Sequence, residues 1–145
     1  MSKKSKEILS QHNISITNPR ILVINELLKS SNPVSIEDLQ NNLKGEVALS
    51  TLYRVLNDLK KINILNEFST PEGTTLVELI LKDTNHHHHL FCSDCGDVID
   101  IELSSKFETL LQKEINNLEL NFKFSVDDHG LELFGSCSSC NKSKK

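Results

Sequence analysis

No apolar run in this 145-residue chain approaches the roughly 20 residues that a helix needs to cross a bilayer. The opening residues, Met1-Ser-Lys-Lys-Ser-Lys-Glu, have no apolar stretch or small-residue cleavage site behind their basic side chains. A secretory signal is therefore not expected, and the cytoplasm is. Internal repeats and low-complexity tracts are absent. No cysteine lies outside two CxxC pairs. In a reducing compartment such pairs point to a metal clasp or a redox site rather than a structural disulfide. Nor is there a surplus of positive charge, since the net charge is -4. An acidic balance does not favour nucleic-acid binding, but binding depends on local patches, so the balance does not exclude it.

What charge there is divides unevenly. Residues 1–85 hold 10 Lys plus Arg and 10 Asp plus Glu, and the remainder holds 6 against 10. Polarity rises and composition changes near Asp83-Thr-Asn85, which marks a hinge between a domain of residues 1–84 and another of residues 85–145. The expected fold class is α+β, with an N-terminal winged helix-turn-helix followed by a small α/β unit.

The first domain reads as helices followed by a hairpin. Lys4 to His12 suits a short leading helix. Thr17 is an N-cap candidate, with Pro19 in the first turn where its missing N–H costs nothing. Ile21, Ile24, Leu27 and Leu28 mark one helical face. Ser30-Ser-Asn-Pro33 ends that helix, and Ser35 can cap the next, with Asp38 at the capping-box position. Leu52, Val55, Leu56 and Leu59 form the buried stripe of a helix from about Leu49 to Ile62. Two strands, 64–68 and 75–80, flank a Pro71-Glu-Gly73 turn. In such a unit the second helix of the turn motif enters the major groove, and nearby side chains anchor phosphates. Tyr53 and Arg54 are the main candidates there, and Arg20 could add a backbone contact. The competing reading leaves Tyr53 partly in the core and Arg54 merely solvated.

In the second domain, strands are expected at Leu90-Phe91, Val98–Leu103, Phe122–Val126 and Leu131–Phe134, with a helix over Ser105–Leu118. Exposed sheet edges and the helix offer a surface for a second copy. Cys92-Ser-Asp-Cys95 and Cys137-Ser-Ser-Cys140 supply four thiolates, which satisfy the tetrahedral preference of a closed structural zinc site. A redox dithiol or a rubredoxin-like iron site is the alternative. Just before the first pair stand His86, His87, His88 and His89. On an extended strand their side chains alternate, so His87 and His89 share one face while His86 and His88 share the other. One strand can thus feed two metal sites. Candidate oxygens to complete them are Glu67, Glu78, Asp83, Asp100, Glu102, Glu108, Asp127 and Asp128, with His129 as a further nitrogen. Mixed nitrogen and oxygen shells suit zinc, iron or manganese.

Four segments together resemble the ferric uptake regulator family of bacterial metal-dependent repressors. They are Thr17-Asn-Pro19-Arg20, Ser50-Thr51-Leu52-Tyr53-Arg54-Val55-Leu56, His86-His-His-His-Leu-Phe-Cys92-Ser-Asp-Cys95-Gly96, and His129-Gly-Leu-Glu-Leu-Phe-Gly-Ser-Cys137-Ser-Ser-Cys140. The resemblance spans nearly the whole chain. It implies a homodimer with an N-terminal winged helix and a C-terminal dimerisation domain, which binds double-stranded operator DNA when loaded with metal and catalyses nothing. A two-fold protein implies a palindromic operator.

DNA contacts are implied at Arg20, Ser50, Thr51, Tyr53 and Arg54. Structural Zn2+ maps onto Cys92, Cys95, Cys137 and Cys140. A regulatory divalent site maps onto Glu78, His87, His89 and Asp100, and an additional site onto His86, His88, Glu108 and His129. Pro33 departs from the pattern, because many iron and peroxide sensors place a histidine ligand there, and its absence weighs against iron and peroxide sensing. The unbroken histidine run and the Gly130–Cys137 segment look like the zinc-uptake subgroup, whereas Glu78 resembles the iron-sensing one. The resemblance thus implies a repressor of metal-uptake genes that senses Zn2+ by preference, closely followed by Fe2+, with Mn2+ third and a peroxide-sensing regulator of the same family as a further alternative. Two readings from other classes stand beside this one: a thiol redox enzyme, and a zinc-stabilised protein-interaction module.

Overall fold

Local sequence signals account for most of the elements in the computed structural model, which describes residues 2–81 and 87–142. The chain divides into two compact units, Met1–Thr84 and Asn85–Lys145. In the first, α1 (Ser2–Gln11) precedes α2 (Asn18–Lys29). Thr17 occupies the N-cap of α2 with extended backbone and Pro19 lies in the first turn, although the Thr17 hydroxyl makes no capping bond. Ser35 does cap: its Oγ accepts from the backbone N–H of Asp38 at 3.0 Å, starting α3 (Ile36–Asn42). Gly45, at φ +86°, turns the chain towards α4 (Leu49–Lys61) in a conformation that side-chain-bearing residues rarely adopt.

The wing is a three-stranded antiparallel sheet in which β3 (Thr75–Leu79) lies between β1 (Val34–Ser35) and β2 (Leu65–Ser69). The sequence announces β2 and β3 but not β1. Two residues carry no periodicity, and their strand character comes from pairing Val34 with Val77 and Ser35 with Leu76. Leu9, Val23, Ile24, Leu39, Leu52, Leu56, Leu59, Ile64 and Val77 build the core of this unit. The helical stripe expected on α4 is thus the stripe that is buried.

The second unit is organised around β4 (His88–Cys92). This strand pairs antiparallel with β5 (Val98–Ile101) on one side and parallel with β6 (Glu132–Gly135) on the other. A parallel neighbour requires a crossover, and α5 (Ser105–Phe122) provides it. Ser104 starts α5 by accepting from the Phe107 N–H. The strand expected at Phe122–Val126 does not form. Instead α5 continues through Phe122, and Lys123 ends it in the left-handed conformation. The Phe124 N–H returns to the Glu119 carbonyl, and the Val126 N–H donates to the Glu119 carboxylate. These bonds hold the very residues that a strand would need. A short helix, α6 (Ser138–Asn141), follows β6, and no sequence signal announces it. The apolar core of this unit is small: Phe91, Cys92, Val98 and Ile115 are buried, together with His88 and His89.

Truncating a core side chain of α4 should cost far more than truncating an exposed one. Leu59→Ala is expected to lower stability by about 2–5 kcal/mol. Tyr53→Ala should stay within about 0.5 kcal/mol of the parent. Urea unfolding followed by far-UV circular dichroism distinguishes the two.

Candidate metal centres and the recognition helix

The four cysteines meet because two knuckles face each other across the β4–β6 pair. Cys92 ends β4 and opposes Gly135 in the register. After it the chain reverses tightly: the Gly96 N–H donates to the Cys92 carbonyl at 2.9 Å, and Gly96 takes φ +80°. Cys137 follows the end of β6 and serves as the N-cap of α6, which carries Cys140. The Ser93 N–H donates to the Gly135 carbonyl, and the Ser136 hydroxyl donates to the Asp94 carboxylate, so the knuckles are also tied to each other outside the sulfurs.

All four Sγ atoms lie within 4.8 Å of one another. Cys95 and Cys137 are 3.8 Å apart between sulfurs. Tetrahedral zinc with Zn–S bonds near 2.3 Å places its sulfurs about 3.8 Å apart, which is the Cys95–Cys137 separation, and the whole set is gathered closely enough to suit such an ion. All four are thiols, not disulfides. The Cys137 backbone N–H donates to Cys92 Sγ at 3.3 Å, and with further backbone N–H donors it lowers the Cys92 pKa to about 6. Cys140 is pushed up to about 12, chiefly by hydrogen bonding with the Cys137 thiol. One thiolate is thus prepared before metal arrives, and another must be deprotonated by it.

Strand alternation separates the histidines. His89 lies directly opposite Asp100 of β5. Its Nε2 is 3.5 Å from Asp100 Oδ1, and His87 Nε2 is 3.9 Å from Asp100 Oδ2. The two imidazoles meet edge to face, with centroids 5.3 Å apart. Donor atoms of His87, His89 and Asp100 lie within 4.8 Å of one another, a two-histidine, one-carboxylate set. His88 points to the opposite face, where its Nε2 is 2.6 Å from Glu108 Oε1 on α5. His129 Nε2 approaches the other oxygen of the same carboxylate at 3.5 Å. Glu108 is therefore shared between His88 and His129. His86 and Asp83 lie outside the described residues. Glu78 sits in β3 of the first unit, buried, and accepts from Asn66 Nδ2 at 3.4 Å.

On α4, Tyr53 and Arg54 are exposed, as is Ser50, while Thr51 is half-buried. Ala48 occupies the N-cap and offers no side-chain acceptor to the first N–H groups of α4. Lys60 and Lys61 form its basic last turn. Arg20 is placed differently from a solvated phosphate contact. One guanidinium nitrogen donates to Asp58 Oδ2 at 2.8 Å, and the other to the Ser15 carbonyl at 2.8 Å and to the Ser15 hydroxyl. Sequence reasoning misses Asp58, since nothing in a separation of 38 residues announces the pair.

The profile of the Ferric uptake regulator family matches residues 11–134. The chain belongs to this family. It is 34% identical over 134 residues to the ferric uptake regulation protein of Klebsiella pneumoniae, covering 90% of this chain and 82% of that one. Identity to the Bacillus subtilis protein of the same name is 30% over 141 residues, covering 94% and 91%. The ferric uptake regulator of Francisella tularensis, solved with iron, superposes with a TM-score of 0.69 at 26% identity, covering 88% of this chain and 95% of that one.

As a family member, the chain is a metal-responsive, DNA-binding transcription regulator and not an enzyme. That removes the thiol redox enzyme. Its architecture is a winged helix-turn-helix with a C-terminal dimerisation domain. Among the described residues no helix is long and apolar enough to cross a membrane.

Zinc binds thiolate and expels any proton held by the thiol. With Cys140 held near 12 in the metal-free cluster, zinc affinity should rise between about pH 6 and about pH 8. Competition against a chromophoric chelator measures this. An affinity that does not change with pH would contradict the picture.

Proposed function

We propose that the chain is a cytoplasmic, homodimeric repressor of metal-uptake genes, with structural zinc on Cys92, Cys95, Cys137 and Cys140 and ferrous iron as the regulatory metal. The donor set of His87, His89 and Asp100, two imidazoles and a carboxylate with no sulfur, suits Fe(II) as it suits Zn(II) or Mn(II). The choice of iron among these rests on the relatives. All four cysteines are already gathered in the clasp. The relatives at 30% identity or more in Klebsiella pneumoniae and Bacillus subtilis carry the ferric name, which moves the reading from zinc, the first preference of the sequence, to iron.

Glu78 is the fourth ligand in this proposal. Its carboxylate belongs to the wing strand β3, while His89 belongs to β4 and His87 immediately precedes that strand. Ligation of all four by one ion would hold the hinge in one arrangement and fix the spacing of the two recognition helices in a dimer, a population shift produced by differential binding. His88, Glu108 and His129 form an additional site, with His86 as the further ligand.

At the DNA, Arg54 and Tyr53 face the major groove. Ser50, Thr51 and the uncapped start of α4 approach phosphate, since a helix N-terminus favours an anion. Two-fold symmetry then calls for a palindromic operator. The apolar side chains left exposed in the second unit, Leu118, Leu120, Phe122 and Phe124 among them, supply a face for the second copy.

Operator binding measured without oxygen, in Fe(II), Mn(II) or Zn(II) at buffered free concentrations, tests the choice of metal. Fe(II) is expected to tighten binding by about 100-fold, within the usual range of allosteric coupling. His89→Ala should remove that gain while leaving clasp zinc at one per chain. Activation by Zn(II) at free concentrations far below those at which Fe(II) acts would overturn iron in favour of zinc.

A further inference from the structure

Arg20 joins three separate pieces of the first unit. It stands in the first turn of α2, reaches back to Ser15 in the segment before that helix, and reaches across to Asp58 on α4. Its side chain is largely sheltered, at 17% exposure, and that of Asp58 is 31% exposed. Asp58 lies four residues after Arg54, so the two occupy neighbouring positions on one face of α4. An aspartate there carries two liabilities for reading DNA: it repels phosphate, and it offers a competing partner to Arg54. Pairing with Arg20 answers both.

An Arg20 that left Asp58 for a phosphate would expose that carboxylate to the polyanion. The planar fork of a guanidinium serves several acceptors at fixed angles, which an ammonium cannot reproduce. We propose that Arg20 is a positioning residue rather than a phosphate anchor. It clamps α4 to the segment preceding α2 and neutralises Asp58, so that Arg54 is presented to the operator. The proposal rests on the reading of α4 as the recognition helix.

The two roles predict different results in operator binding by the metal-loaded dimer. Under the clamp, Arg20→Ala and Asp58→Ala both weaken binding by about 10-fold, and the double variant is no weaker than the worse single one. Arg20→Lys keeps the charge but stays weakened, while Asp58→Asn, which retains an acceptor oxygen, is intermediate. The dependence of log K on log salt keeps its slope in the double variant, where neither charge remains, because Arg20 neutralises no phosphate.

A phosphate anchor predicts the reverse. Asp58→Ala would bind as well as the parent or better, and Arg20→Lys would bind nearly normally. The double variant would flatten the slope by about 0.9 for each phosphate that a protomer no longer neutralises. That pattern would overturn the clamp. Thermal melts accompany each variant, and Asp58→Asn and Arg20→Lys carry the test if an alanine variant fails to fold. Arg54→Ala serves separately: undiminished operator affinity in that variant would overturn the recognition-helix reading itself, whatever Arg20 and Asp58 do.

Discussion

Four sulfur atoms within 4.8 Å of one another join the turn after β4 to the segment after β6, and the second unit is arranged around that junction. Its buried apolar residues are few, and two of its buried side chains are histidines. A small domain with so little core needs a covalent or metallic staple. Here the staple closes over the strand that also carries the histidines. The parallel register of β4 and β6, and the stacking of Phe91 on Phe134 at 5.3 Å between centroids, lead directly into the clasp. A displaced clasp would therefore displace the histidines of the same strand.

Strand parity then divides the labour. Successive side chains leave a strand on opposite faces, so His87 and His89 meet Asp100 while His88 meets Glu108 and His129. The two clusters are close in sequence yet separated by the sheet. Chemistry separates them from the clasp as well: thiolates hold zinc in a closed shell, whereas imidazole and carboxylate sets leave room for exchange. A permanent ion and exchangeable ions can therefore share one small unit.

Much of this arrangement is legible in the sequence because it follows from local rules. Cysteine spacing announces the clasp, alternation announces the two histidine faces, and the Leu52, Val55, Leu56 and Leu59 stripe announces the buried side of α4. Other features depend on contacts distant in sequence or too short to leave a pattern. Strand β1 exists because Val77 and Leu76 pair with it. The end of α5 is decided by Lys123 in a left-handed conformation and by the bonds to Glu119, where the apolar Phe122–Val126 run suggests a strand. Arg20 sits in a family motif, but its partner Asp58 is visible only once α2 and α4 are packed.

The central claim is that the clasp and the histidine sites are separable: one holds the fold and the others carry the signal. The most direct measurement follows operator affinity, zinc per chain and amide-exchange protection of β4 together during mild chelation of the loaded dimer. The account predicts that operator binding is lost first, while one zinc per chain and the protection of β4 persist. Loss of operator binding only in step with clasp zinc and β4 protection would contradict it.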